Sequence, residues 1–127
     1  MKAVDRLGPG RGPRMHARVW QFQLRRGKLE EFRSALHSLI PAAQQQGGFV
    51  GALALGSGDK GAPHISLIAL WESLDALRAS ERNMLVSQAI SRFVSCSEGF
   101  PQIQERPVLA SEFPLPARQG SWPGRLI

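Results

Sequence analysis

From Ile65 to Trp71 the chain is almost wholly apolar. Ile65, Leu67, Ala69 and Trp71 alternate with Ile68 and Leu70, so both faces of an extended segment would avoid water. Such a strand needs helices on one face and a second sheet on the other. Two further stretches share the period of two. Ala17 to Leu24 sets Arg18, Trp20, Phe22 and Leu24 against Ala17, Val19, Gln21 and Gln23, and Phe49 to Leu55 sets Phe49, Gly51, Leu53 and Leu55 against Val50, Ala52 and Ala54. A fourth strand, Ile103 to Phe113, has a weaker pattern. Pro107 confines it to a sheet edge or bulge, because proline lacks the ladder donor.

Between these strands the period becomes that of a helix. After Gly27, from Lys28 to about Gln46, Leu29, Phe32, Leu36, Leu39, Ile40 and Ala43 form one stripe, and Glu30, Glu31, Arg33, His37 and Gln44 fall away from it. Pro41 should kink this helix or split off its last turn, and Gly47-Gly48 should end it. Ser73 is placed to cap a short helix, Leu74 to Arg78, with Asp75 in its first turn. Ser80 and Glu81 then read as a second start, leading into Leu85, Val86, Ala89, Ile90 and Phe93 on a broad apolar face to about Ser95. The glycines at 56, 58 and 61 make a turn-rich connector; neither a helix start nor a Gly-Lys-Ser/Thr follows them to hold a phosphate.

The order strand, helix, strand, strand, helix, strand predicts an α+β fold, the ferredoxin-like βαββαβ pattern, with both helices on one face of a four-stranded antiparallel sheet. The other face would be bare and partly apolar. The expected remedy is a homodimer, in which the chain packs against a second copy of itself through the two sheets.

At 127 residues and 43% apolar content the chain has the size and composition of one globular domain. No run approaches the roughly 18 to 20 apolar residues of a membrane-spanning helix, so no membrane partner is expected. Charged residues at the amino end lack an apolar segment behind them, and Cys96 stands alone, which together suggest a cytoplasmic protein. Residues 1–14, rich in glycine, proline and charge, read as a mobile basic leader, residues 15–113 as the domain, and residues 114–127 as a Pro/Gly-rich tail. The net charge of +6 sits mainly outside that domain. Lys2, Arg6, Arg11 and Arg14 against Asp5 give the leader +3, Arg118 and Arg125 give the tail +2, and the domain is left at +1. A nearly neutral body lacks the basic face of a nucleic-acid domain, so no nucleic-acid partner is expected.

Three signatures resemble a known family. They are Gly27-Lys28-x-Glu30-Glu31-Phe32 at the first helix start, Gly48-Phe49-x-Gly51 leading into the second strand, and Trp71-Glu72-Ser73 ending the third. Together they resemble the antibiotic biosynthesis monooxygenase domain of the dimeric α+β barrel superfamily, over about residues 15–113. The resemblance implies a dimeric α+β barrel. Family members include small cofactor-independent oxygenases that act on hydroxylated aromatics or quinols, haem-degrading enzymes and domains of other roles. In the aromatic-oxidising members a pocket asparagine precedes the matching tryptophan by four positions and an aromatic hydroxyl follows it by six; here those positions are Leu67 and Leu77. The tryptophan and histidine ligand of the haem-degrading members fall on Ser80 and Ile90, which argues against haem.

The function implied is a cofactor-independent monooxygenase, an oxidoreductase needing no cofactor. The alternative is a non-catalytic small-molecule-binding or sensory domain of the same architecture. Oxygenation without a cofactor needs a site that binds an electron-rich phenol or quinol, favours its anion and keeps water away. Trp71 is the candidate catalytic wall. Gln21, Gln23, His37 and His64 are candidate polar contacts to substrate, and Leu67 and Leu77 occupy the matching pocket positions. The histidines at 16, 37 and 64 are far apart and lack a carboxylate at ligand spacing, so no metal site is expected. Cys96, flanked by serines and without a nearby histidine, reads as a bystander rather than a nucleophile.

Overall fold

The computed structural model describes residues 14–112. The expected leader, apart from Arg14, and the expected tail lie outside the described residues. Seven elements follow in order: β1 (His16–Gln23), α1 (Leu29–Gln46), β2 (Phe49–Ser57), β3 (His64–Trp71), α2 (Leu74–Glu81), α3 (Met84–Ser95) and β4 (Gln102–Pro107). The strands form one antiparallel sheet in the order β2-β3-β1-β4. The fold is α+β, with the four-stranded antiparallel sheet that the hydrophobic pattern predicts.

Alternation decides which side of the sheet meets the helices. On β1, Trp20 and Phe22 are buried while Gln21 and Gln23 are exposed. On β3, Ile65, Leu67, Ala69 and Trp71 are all buried, and Ile68 and Leu70 on the reverse side are half-buried. Phe32, Ala35, Leu36, Leu39, Ala42 and Ala43 of α1 and Val86, Ala89 and Phe93 of α3 complete the core. Phe32 stands at its centre, its ring 5.9 Å from Phe22 edge-on and 5.5 Å from Phe93.

Four local expectations are corrected. Pro41 does not split α1, which runs unbroken to Gln46; the proline and His37, whose carbonyl loses its helical donor, both lie on the exposed side of the helix. The second helical start is Asn83 rather than Ser80, its Oδ1 accepting from the amides of Leu85 at 2.9 Å and Val86 at 3.1 Å. Ser80 belongs instead to α2, is buried, and donates its hydroxyl to the Leu77 carbonyl at 2.6 Å. On β2, a bulge between Phe49 and Gly51 shifts the register by one, so Phe49, Ala52 and Ala54 pack on the core while Leu53 and Leu55 are exposed. β4 is an edge strand, as Pro107 requires. It ends at that proline rather than at Phe113, one last amide bond running from Val108 to the Met15 carbonyl at 2.9 Å.

At Gly48 the end of α1 comes close against α2. The Gly48 φ is +83°, and a Cβ built there would lie 2.6 Å from the Cβ of Ala76 on α2. The Gly48 carbonyl accepts from the Glu72 amide at 2.7 Å, and Gln46 Nε2 donates to the Ala76 carbonyl at 3.0 Å. The end of α1 therefore fixes α2 against the sheet, and α2 forms one wall of the cavity described next.

Candidate functional site

The register of β1 on β3 sets Arg18 opposite Ala69 and Trp20 opposite Leu67, with Trp71 beside them at the strand end. Ala69 is too small to fill the space beside the large side chains. What remains between the sheet and helices α2 and α3 is an open cavity of about 340 Å³. That volume lies at the small end of ligand sites, which run from roughly 300 to 1,000 Å³.

The cavity has two kinds of wall. Trp20, Leu39, Ala69 and Trp71 supply an apolar side from the sheet and α1, and Val86, Ile90 and Ile103 add to it. Trp71 is 2% exposed and held edge-on by Phe49, ring centres 5.1 Å apart. Ser87 and Ser91, one helical turn apart on α3, supply hydroxyls, and Arg18, Ser80 and Glu81 complete the polar side.

Arg18 belongs to a group of four charges. Its Nη2 donates to both Glu81 at the end of α2 and Glu105 on β4. Arg78 Nη1 donates to the same two carboxylates, 2.6 Å from Glu105 and 3.2 Å from Glu81. The Arg78 hydrogen bond, and after it that of Arg18, holds the Glu105 carboxyl below the ordinary glutamate range. Glu105 in turn raises the Arg78 guanidinium. Arg18 Nε is buried and meets no acceptor among the described residues. An unmet buried donor costs about 1–3 kcal/mol, and more when charged.

The residues singled out in the sequence separate in space. Trp71 lines the cavity. Leu67 and Leu77 are wholly buried in the core and do not line it. Gln21, Gln23 and His64 lie on the opposite face of the sheet, where Gln23 donates to the Ala62 carbonyl and His64 is exposed. His37 is exposed on α1, also outside the cavity. The glutamines, paired in prospect with Trp71, are therefore not brought to it. Arg18, Glu81, Ser87 and Ser91 were not singled out. Arg18 had a readable signal, since it is the one charged residue on the helix-facing, otherwise apolar side of β1. The serines of α3 gave none, because their place depends on how the helix is rotated over the sheet.

Cys96 is buried, and burial raises its thiol pKa, away from nucleophilic use. Among the described residues no three of His, Cys, Asp and Glu gather closely enough to hold a metal ion, and no helix is long and apolar enough to cross a membrane.

No protein-family model and no curated protein matches the chain. Solved structures do. A protein from Caulobacter crescentus CB15, provisionally named an antibiotic biosynthesis monooxygenase, superposes with a TM-score of 0.63 at 18% identity, covering 77% of this chain and 92% of its own. SnoaB, a cofactor-independent oxygenase from Streptomyces nogalater, superposes with a TM-score of 0.59 at 19% identity, covering 79% and 96%. A protein of unknown function from Nitrosomonas europaea gives 0.62 at 16% identity, covering 80% and 95%. At these identities the likeness speaks for architecture, not for activity. The chain has the fold of the antibiotic biosynthesis monooxygenases, the family that its Gly-Lys-x-Glu-Glu-Phe and Trp-Glu-Ser signatures resemble.

Proposed function

We propose that this chain is a small monooxygenase that oxidises a hydroxylated aromatic or quinol with molecular oxygen, needing neither metal nor flavin. The observation that carries the reading is the cavity itself. Trp20 and Trp71 supply an apolar wall from the sheet suited to an aromatic ring, Ser87 and Ser91 come from α3, and Arg18 lies beside Trp20 on β1, as partners for ring oxygens. A substrate that loses a proton to give a delocalised anion can pass an electron to oxygen directly. When a methylene carbon becomes a carbonyl, one oxygen atom enters the product and the other leaves as water, so no outside reductant is required. The role of the protein is then to bind the ring, hold its oxygens and limit water.

One observation favours the alternative, a non-catalytic binding domain. Glu81, the only carboxylate lining the cavity among the described residues, is engaged by Arg18 and Arg78 and is not free to act as a base. Oxygen uptake by metal-free protein, measured against dihydroxynaphthalenes and anthrones, separates the two. The expected result is uptake above the uncatalysed background, reduced at least about tenfold in Trp71→Phe, which keeps an aromatic core residue but shrinks the wall. Uptake at background, or an undiminished variant, assigns the chain to the binding class.

A further inference from the structure

We propose that the groove between α1 and α3 is a second binding site, and that it takes a small linear carboxylate: an acyl chain laid along the groove with its carboxylate at Arg92. None of the residues that line it also lines the cavity beside Trp71, so the proposal stands apart from the oxygenase reading.

The groove exists because small residues face each other between the two helices. Ala42 on α1 and Ala89 on α3 are buried in it, and their methyl groups leave a space of about 330 Å³ unfilled. Pro41 and the half-exposed Leu85 add apolar walls. The lining positions recur every three or four residues, from Ser38 to Gln45 on α1 and from Leu85 to Arg92 on α3, so each set lies on one side of its helix. Seven residues of helix rise roughly 10 Å, long enough for a medium acyl chain.

The two ends of the groove differ. At one end Arg92 Nη1 donates to Ser38 Oγ at 2.6 Å and Nη2 donates to Ser34 Oγ at 2.9 Å. Ser38 and Arg92 are the first position on one helix and the last on the other, so Gln45 and Leu85 fall at the opposite end. Cation and apolar wall thus stand about two turns apart, the polarity of an amphiphile.

Charge decides the class of ligand. Among the described residues Arg92 forms no ion pair, and no carboxylate lines the groove. Glu31, about one turn before Ser34, is held by Lys28 at 2.7 Å, and it is this lysine that chiefly keeps its carboxyl below the ordinary range, Arg92 being the last of its influences. The two partners of Arg92 are neutral hydroxyls, which position the guanidinium without cancelling its charge. A guanidinium carries five N–H donors, two are used here, and the residue is exposed, so donors remain for a ligand oxygen. The start of α3, the other place that draws an anion, is occupied by Asn83 Oδ1, which accepts from the Leu85 and Val86 amides. A carboxylate therefore finds its counter-charge at Arg92, and its chain covers Ala42 and Ala89 on the way to Leu85.

The test is chemical-shift mapping on the isotope-labelled full chain, with octanoate, 1-octanol and octylammonium as probes. Octanoate should saturate in the millimolar range and move the amides of Ala42, Leu85 and Ala89 more than those of Ala69 and Trp71. It should bind at least about threefold more tightly than 1-octanol, the gap expected for one exposed ion pair, and octylammonium more weakly than either. Added salt should narrow the gap. Arg92→Gln keeps a polar side chain beside the serines but removes the charge, so it should bind 1-octanol as the parent does and lose the preference for the acid. Equal binding of acid and alcohol by the parent chain, a gap unmoved by salt, shifts centred on Ala69 and Trp71, or no saturable binding overturns the proposal, whether or not the variant folds. A folded variant that keeps the preference also overturns it.

Discussion

Arg18 and Ala69 face each other across two neighbouring strands, and the contrast in their sizes gives the site its room and its charge. The charge is then tied down by Glu105, and this link has a pH signature. Because Arg78 and Arg18 hold the Glu105 carboxyl below its ordinary range, the folded chain takes up that proton later than the unfolded chain does. The contribution is fully present above the ordinary glutamate value, about 4.3, and is lost as pH falls through the lower folded value. Glu105→Gln should therefore lower the melting temperature at neutral pH, by an amount worth at most about 1 kcal/mol for so exposed a pair. Melting curves taken into acid should show the gap to the parent closing below that range; a gap constant with pH would exclude the ion cluster as its source. Of the site's residues, Trp71 was legible because a large aromatic at the end of an apolar strand needs a reason. Gln21 and Gln23 were misleading because polarity on a strand shows an alternate face without showing which face carries the site.

At the scale of elements, every strand and helix was legible where an apolar period was sustained, and the junctions were not. Asn83 caps α3 where Ser80 was expected, since either side chain can accept from a helix start and only packing decides between them. The bulge at the start of β2 has no side-chain period of its own, so Leu53 and Leu55 turned out opposite in face to Phe49. The Gly47-Gly48 pair was legible as a helix end, but the two glycines do different things. Both have φ near +90°, yet a Cβ at Gly47 meets nothing while one at Gly48 meets Ala76. Gly47→Ala should cost about 1–2 kcal/mol for its backbone alone. Gly48→Ala adds the overlap and should cost roughly 3 kcal/mol or more, with α2 displaced from the sheet. Denaturant titration of the two variants checks the order; equal losses would mean that the approach of Gly48 to α2 is not tight in solution.

For the whole molecule the open question is the far face of the sheet. Leu53 and Leu55 are 43% and 53% exposed there, with Ile68 and Leu70 half-buried beside them. Leaving that area wet costs on the order of 25 cal/mol for each Å². A second copy packed sheet on sheet is the expected cover, so light scattering at micromolar concentration should give twice the chain mass of 13.9 kDa. Leu53→Glu should halve it without unfolding the chain, because the side chain does not belong to the core. A parent chain that runs as a well-folded monomer sinks the dimer.

The strand order carries a consequence for how the protein is made. β2 and β3 are neighbours joined by the short connector 58–63, so they can pair as soon as both have left the ribosome. β1 is synthesised first, yet it lies between β3 and β4, and its two ladders close on Trp71 and on Pro107. The edge of β1 that pairs with β4 thus waits, unpaired, while the rest of the domain is translated, and the last strand completes the sheet beside the first. The interval of greatest risk for a nascent chain is set by the place of β1 in the sheet, and a chaperone that grips early apolar segments would find its first handhold there.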